Sequence, residues 1–110
     1  MIVERLPPVK SSLRPSNHPY LNGPWTPQHE EVTATDLDVI EGKIPSDIDG
    51  VYIRNTENQV HQPLGRHHPF DADAMLLQID FRGGKASYRN RFVRTRCFQM
   101  EQEAGQALWG

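Results

Sequence analysis

His67 to Met75 reads HHPFDADAM. With His61 it gathers three imidazoles and the carboxylates of Asp71 and Asp73 into a short run of chain. Nitrogen and oxygen donors of this kind suit iron, zinc or manganese. The spacing fits no closed template, because there is no H-E-x-x-H helix, no calcium loop and no histidine pair flanking one strand position. In an extended chain Asp71 and Asp73 would share a face, whereas His68 and Asp71 would not. The simpler reading is a loop whose aspartates accept backbone N–H groups in Asx-type turns just ahead of a strand.

Other reactive residues are sparser. His29–Glu31 (HEE) could pair a ligand with an acid or base, but beside a proline-rich segment it reads as solvated surface. Cys97 is the sole cysteine. It lacks a local base and orienting group, so a buried, inert thiol is expected. Arg82–Arg96 carries six cations with Tyr88 and Phe92 between them. In a strand these aromatics and the arginines at 89 and 91 point to opposite faces. That separates base stacking from phosphate contact and argues against a nucleic-acid partner. Gly83–Gly84 lacks the helix and lysine of a phosphate loop.

The elements that must position these residues are mostly strands. Met75, Leu77, Ile79 and Phe81 alternate with Leu76, Gln78 and Asp80, the pattern of a half-buried strand. RGGK offers a tight turn, and ASYRNRFV a second strand, so Met75–Val93 reads as a β-hairpin. Val51–Arg54 adds a short strand. Residues 1–30 hold six prolines and form an extended N-terminal arm, in which neither a long helix nor a central strand fits. Tyr20, Leu21 and Trp25 imply that its later part docks. Residues 31–110 form the β portion. The tail FQMEQEAGQALWG favours helix, with Gly105 as a weak point and no evident cap. Two or three antiparallel strands are marginal alone and need a second layer.

Composition bounds the function. The chain has 110 residues, 36% hydrophobic and 24% charged, with a net charge of −2, so nothing points to nucleic acid. One cysteine allows no disulfide framework, and the start lacks an apolar signal core, so a cytoplasmic setting is expected. No apolar run is long enough to span a bilayer, which leaves only peripheral membrane contact open.

Taken in order, GKIPSDIDGVYIRNTEN (42–58), HPFDADAM (68–75) and YRNRFVRT (88–95) resemble the N-terminal part of the carotenoid cleavage oxygenases, most of all the bacterial apocarotenoid and lignostilbene dioxygenases. The resemblance runs from about Pro19 to Trp109. It implies an all-β fold, with these residues as the opening strands of a seven-bladed β-propeller that is incomplete in this chain. It also implies a non-haem Fe(II) held by four histidines. With O₂, the ion splits an alkene bond of a carotenoid, apocarotenoid or stilbene into two carbonyl products. The family's iron-binding histidines lie in motifs beyond this sequence, and none of His18, His29, His61, His67 or His68 matches one. No metal or catalytic residue is therefore assigned here, and the 110 residues alone are expected to bind no iron and to be inactive. His68 matches a structural histidine of the first blade. With Asp71 and Asp73 it is expected to shape the chain, and Phe70 is the candidate for the substrate-tunnel wall. Three positions depart from the family pattern, Ala72 and Ala74 in place of glycine and Leu77 in place of a frequent histidine. If the first glycine used positive φ, Ala72 would cost about 1 kcal/mol or more. A rival reading is a small non-catalytic β-module that binds a partner through the apolar hairpin face.

Overall fold

The computed structural model describes residues 1–109. Among them five strands form: β1 (Ile2–Arg5), β2 (Val32–Thr35), β3 (Gly50–Glu57), β4 (Ala74–Arg82) and β5 (Lys85–Phe92). One α-helix follows, α1 (Arg96–Ala104). The strands make a single antiparallel sheet in the order β1-β2-β5-β4-β3.

The expected hairpin is its centre. Met75 pairs with Phe92 and Arg82 with Lys85. Gly83 and Gly84 close the turn with φ of 56° and 78°, a left-handed pair that matches the twist of the flanking strands and that glycine adopts without a Cβ clash. The strand expected at Val51–Arg54 runs longer, and β3 pairs with β4 from Gly50↔Phe81 to Glu57↔Ala74. It forms one edge of the sheet, and Val51, Tyr52 and Ile53 are exposed on both its faces.

The first residues are more than an arm. Ile2–Arg5 precede the first proline and form the opposite edge, pairing with β2 from Ile2↔Thr35 to Arg5↔Val32. An edge strand needs partners on one side only, so Pro7 and Pro8 can follow it directly. Leu21 is buried, while Tyr20 and Trp25 stay partly exposed and meet edge to face at 5.2 Å.

The second layer is small. Val60, Met75, Phe92 and Phe98 form the buried cluster, with Val9 and Leu77 packed on it. Phe98 of α1 stacks on Phe92 of β5 with centroids 5.4 Å apart. Thr95 caps the helix, its Oγ1 accepting the Phe98 N–H at 3.0 Å. Gly105 is not a weak point inside the helix but its terminator. It takes the left-handed conformation at φ 71°, and its N–H donates to Glu101 O at 2.8 Å.

Candidate functional site

The loop from Asn58 to Asp73 carries the residues with chemistry. Its end is a single 3-10 turn, Pro69–Asp71, started by His68. His68 Nδ1 accepts the Phe70 N–H at 3.1 Å, so the histidine acts as the turn's cap. Its carbonyl accepts the Asp71 N–H at 2.9 Å. Proline in the first turn fits because its missing N–H would have no partner there. Asp71 is exposed. Asp73 closes the loop, its Oδ2 accepting the Val60 N–H at 3.1 Å and its carbonyl the Asn58 N–H at 2.8 Å. Burial pushes the Asp73 carboxyl above its ordinary value and the charge of Glu101 adds to this, while the Val60 N–H and His61 pull it back.

The histidines part company. His61 is buried, its Nδ1 against the backbone N–H of Ser12 at 3.3 Å. The His67 ring meets that of His18 at 5.5 Å, edge to face. Burial holds His67 below the ordinary imidazole value, and His18 adds to the effect. Among the described residues no three His, Cys, Asp or Glu side chains are placed to hold a metal ion together. Three of the loop's donor side chains already face backbone N–H groups, His61 and His68 through Nδ1 and Asp73 through Oδ2. Phe70 is 81% exposed, and its ring meets that of His68 edge to face with centroids 5.0 Å apart. Ala72 has φ −73° and ψ 162°, ordinary extended backbone, so the strain that positive φ would bring is absent.

Two expectations are corrected. Glu31 is not part of a solvated surface. It is 3% exposed, and its carboxylate takes both Arg94 Nη atoms, at 2.6 and 2.7 Å, and the Phe92 N–H at 2.8 Å. A glutamate next to exposed Glu30 gives no local sign of this, because its partner lies far along the chain. Cys97 is exposed rather than buried, since it sits in the first turn of α1 while Phe98 takes the inward position. It borders a cavity of about 360 Å³ shared with His67, Asp73 and Glu101.

The basic run is engaged internally. Arg91 donates to Val32 O and Thr33 Oγ1 at 2.9 and 2.7 Å, and Arg89 to Gln78 Oε1 at 3.2 Å. Buried Asn90 ties the same region together, accepting the Val32 N–H at 2.6 Å and donating to Glu30 O at 3.0 Å. No helix among the described residues is long and apolar enough to cross a membrane.

Residues 25–110 match the family model of the retinal pigment epithelial membrane protein. A carotenoid cleavage oxygenase of Mycobacterium tuberculosis is 49% identical over 82 residues, covering 73% of this chain and 16% of that protein. A probable carotenoid cleavage dioxygenase 4 of Arabidopsis thaliana is 35% identical over 99 residues, or 90% of this chain and 16% of its own length. The lignostilbene dioxygenase of Pseudomonas brassicacearum superposes with a TM-score of 0.81 at 28% identity, over 88% of this chain and 20% of that one. The chain thus spans about a sixth of the length of these curated relatives. It belongs to the carotenoid cleavage oxygenase family, and its antiparallel sheet is part of that family's β-propeller.

Proposed function

We propose that these residues are the N-terminal part of a non-haem Fe(II) dioxygenase that splits an alkene bond of a carotenoid, apocarotenoid or stilbene. Both atoms of O₂ end in the two carbonyl products, one in each, so the reaction needs no further reductant. The observation that carries this reading is the family match over residues 25–110, joined to a common fold with a lignostilbene dioxygenase. The ferrous ion belongs to histidines outside the described residues. His29 Nε2 lies 2.8 Å from Gln59 O, His61 is held by Ser12, and His18 and His68 each accept a backbone N–H. The part of the protein seen here is scaffold, and the exposed ring of Phe70 is its contribution to the substrate tunnel.

Two measurements test this. Iron analysis and turnover of an apocarotenal or a stilbene on the 110-residue chain should both be negative, and stoichiometric iron with turnover would overturn the assignment of the site elsewhere. The nucleotide sequence past the Gly110 codon should encode four spaced histidines, and a continuation without them removes the iron-dependent reading.

A further inference from the structure

The chain holds five asparagines, Asn17, Asn22, Asn55, Asn58 and Asn90, and of these Asn22 alone is followed by glycine. Asn22 joins two single 3-10 turns, Pro19–Leu21 and Gly23–Trp25, and is exposed. Its side-chain amide holds the first turn closed, with Nδ2 donating to Ser16 O and, at 3.1 Å, to His18 O. The same His18 carbonyl accepts the Leu21 N–H at 3.0 Å, and Leu21 is 8% exposed. Tyr20 of this turn meets Trp25 of the next one edge to face. One primary amide thus clamps the chain around a buried leucine and an aromatic pair.

That amide is also the most open to chemistry. Gly23 follows at φ 58°, and a Cβ on it would meet nothing within 4 Å. Its nitrogen therefore carries no side chain beside it and faces solvent. Among the described residues no acceptor engages its N–H. The other asparagines are guarded. Asn55 and Asn90 are held by strand pairing, and Asn90 is 1% exposed. Asn58 uses both ends of its amide, Oδ1 accepting the Gln28 N–H at 2.7 Å and Nδ2 donating to Thr56 Oγ1 at 3.0 Å. Asn17 is exposed, but the side chain of His18 stands beside the next nitrogen.

We propose that Asn22 is a site of spontaneous modification, where deamidation releases the clamp on the Ser16–Leu21 turn. The backbone nitrogen of Gly23 attacks Asn22 Cγ, after rotation about an Asn22 ψ that neither strand nor α-helix fixes. The new N–Cγ bond closes a cyclic imide. The Cγ–Nδ2 bond breaks, and Nδ2 leaves as ammonia with the proton of the Gly23 N–H. Water then opens the imide at either carbonyl, giving aspartate or isoaspartate. In sum an amide and a water become a carboxylate and ammonium, with no change of oxidation state. The product carboxylate has no hydrogen to donate. It sets a negative charge against the Ser16 and His18 carbonyl oxygens that had been acceptors, so the turn opens and uncovers Leu21, while the sheet keeps its pairing.

Ageing of the 110-residue chain at body temperature, followed by peptide mass mapping, tests the chemistry. Asn22 should gain about one dalton at least about tenfold faster than any other asparagine. The gain should be faster in mild alkali than in mild acid, because the attacking nitrogen must lose its proton. Asp49–Gly50 reacts by the same route without a change of mass and so does not interfere. The Asn22→Asp variant carries the product from the start. In it, and in the aged parent, protection of the Leu21 amide from hydrogen exchange should fall about threefold or more while β4 and β5 amides hold theirs. Trp25 emission, isolated by Trp109→Phe, should shift to the red. Asn22→Gln has a longer side chain that closes the ring reluctantly, and its mass and Leu21 protection should stay constant with time. The proposal is overturned if Asn22 converts no faster than the other asparagines, if Asn22→Asp protects Leu21 as the parent does, if turn and sheet lose protection together, or if aged Asn22→Gln loosens along with the parent.

Discussion

Glu31 and Arg94 form a two-point ion pair, Oε1 to Nη2 at 2.6 Å and Oε2 to Nη1 at 2.7 Å, that joins the residue before β2 to the residues after β5. The Arg94 guanidinium also lies 5.7 Å over the Phe98 ring. One side chain thus links the sheet to α1. Replacing Arg94 by Met leaves a buried carboxylate with the Phe92 N–H alone, and should cost about 2–4 kcal/mol in urea unfolding at neutral pH. Arg94→Lys should recover only part of this, because an ammonium lacks the planar fork. A loss under about 0.5 kcal/mol would mean that the pair contributes nothing beyond surface charge.

The same carboxylate sets an acid limit. Burial alone would raise the Glu31 pKa. The hydrogen bonds from Arg94 and Phe92 and the charges of Arg94 and Arg91 outweigh it, leaving the folded value below the ordinary 4.5. The stabilisation is therefore present above that ordinary value and is lost as pH falls through the folded one. Melting temperatures recorded from neutral pH into the acid range should decline less steeply below 4.5 for Glu31→Gln than for the parent. Parallel curves would exclude the coupling.

Asp73 has the opposite sign. Its folded pKa is raised above the ordinary 3.8, so its charge disfavours the folded state once pH exceeds that value. Asp73→Asn keeps an acceptor for the Val60 N–H and removes the charge, so at neutral pH it should melt no lower than the parent. Asp73→Ala leaves that buried N–H unpaired and should cost about 1–3 kcal/mol. Equal losses in the two variants would refute the division between charge and hydrogen bond.

At Ala72, where the family resemblance leads to an expectation of glycine, the φ of −73° asks nothing that alanine cannot supply. Ala72→Gly should therefore lower stability, by about 0.5–1 kcal/mol, through the freedom it adds to the unfolded chain. A gain in melting temperature would show that the alanine methyl is crowded.

Gly105→Ala tests the helix end. A Cβ there meets nothing within 4 Å, so the cost is conformational only, about 1 kcal/mol for a left-handed alanine. Loss of helix signal by circular dichroism should accompany it, and Gly105→Asn should be milder.

The hairpin was legible in the sequence because its signals are local. Alternation from Met75 to Phe81 and the two glycines fix both strands and their register within a short stretch. A turn just ahead of β4 was legible for the same reason, as a short polar cluster, but its cap is the His68 side chain rather than the aspartates expected to accept there, and Asp73 accepts instead from the distant Val60 N–H. What could not be read depends on distant partners. Glu31 resembles its exposed neighbour Glu30 until β5 brings Arg94 beside it. His61 looked like one ligand of a cluster, but Ser12 reaches it from the other side of the sequence. Cys97 was misjudged because the helix phase, set by Phe98 stacking on Phe92, decides which side chain turns inward.

The strand order also dictates a sequence of events in time. β4 and β5 are joined by two residues and can pair as soon as both exist, whereas β2 sits against β5 and Glu31 waits for a partner 63 positions later. At a synthesis rate of about 5–20 residues per second, that interval is roughly 3–13 s. The segments made first on the ribosome are thus the last to find their place. Through that interval the apolar side of β2, and β1 beside it, stands uncovered and within reach of chaperones.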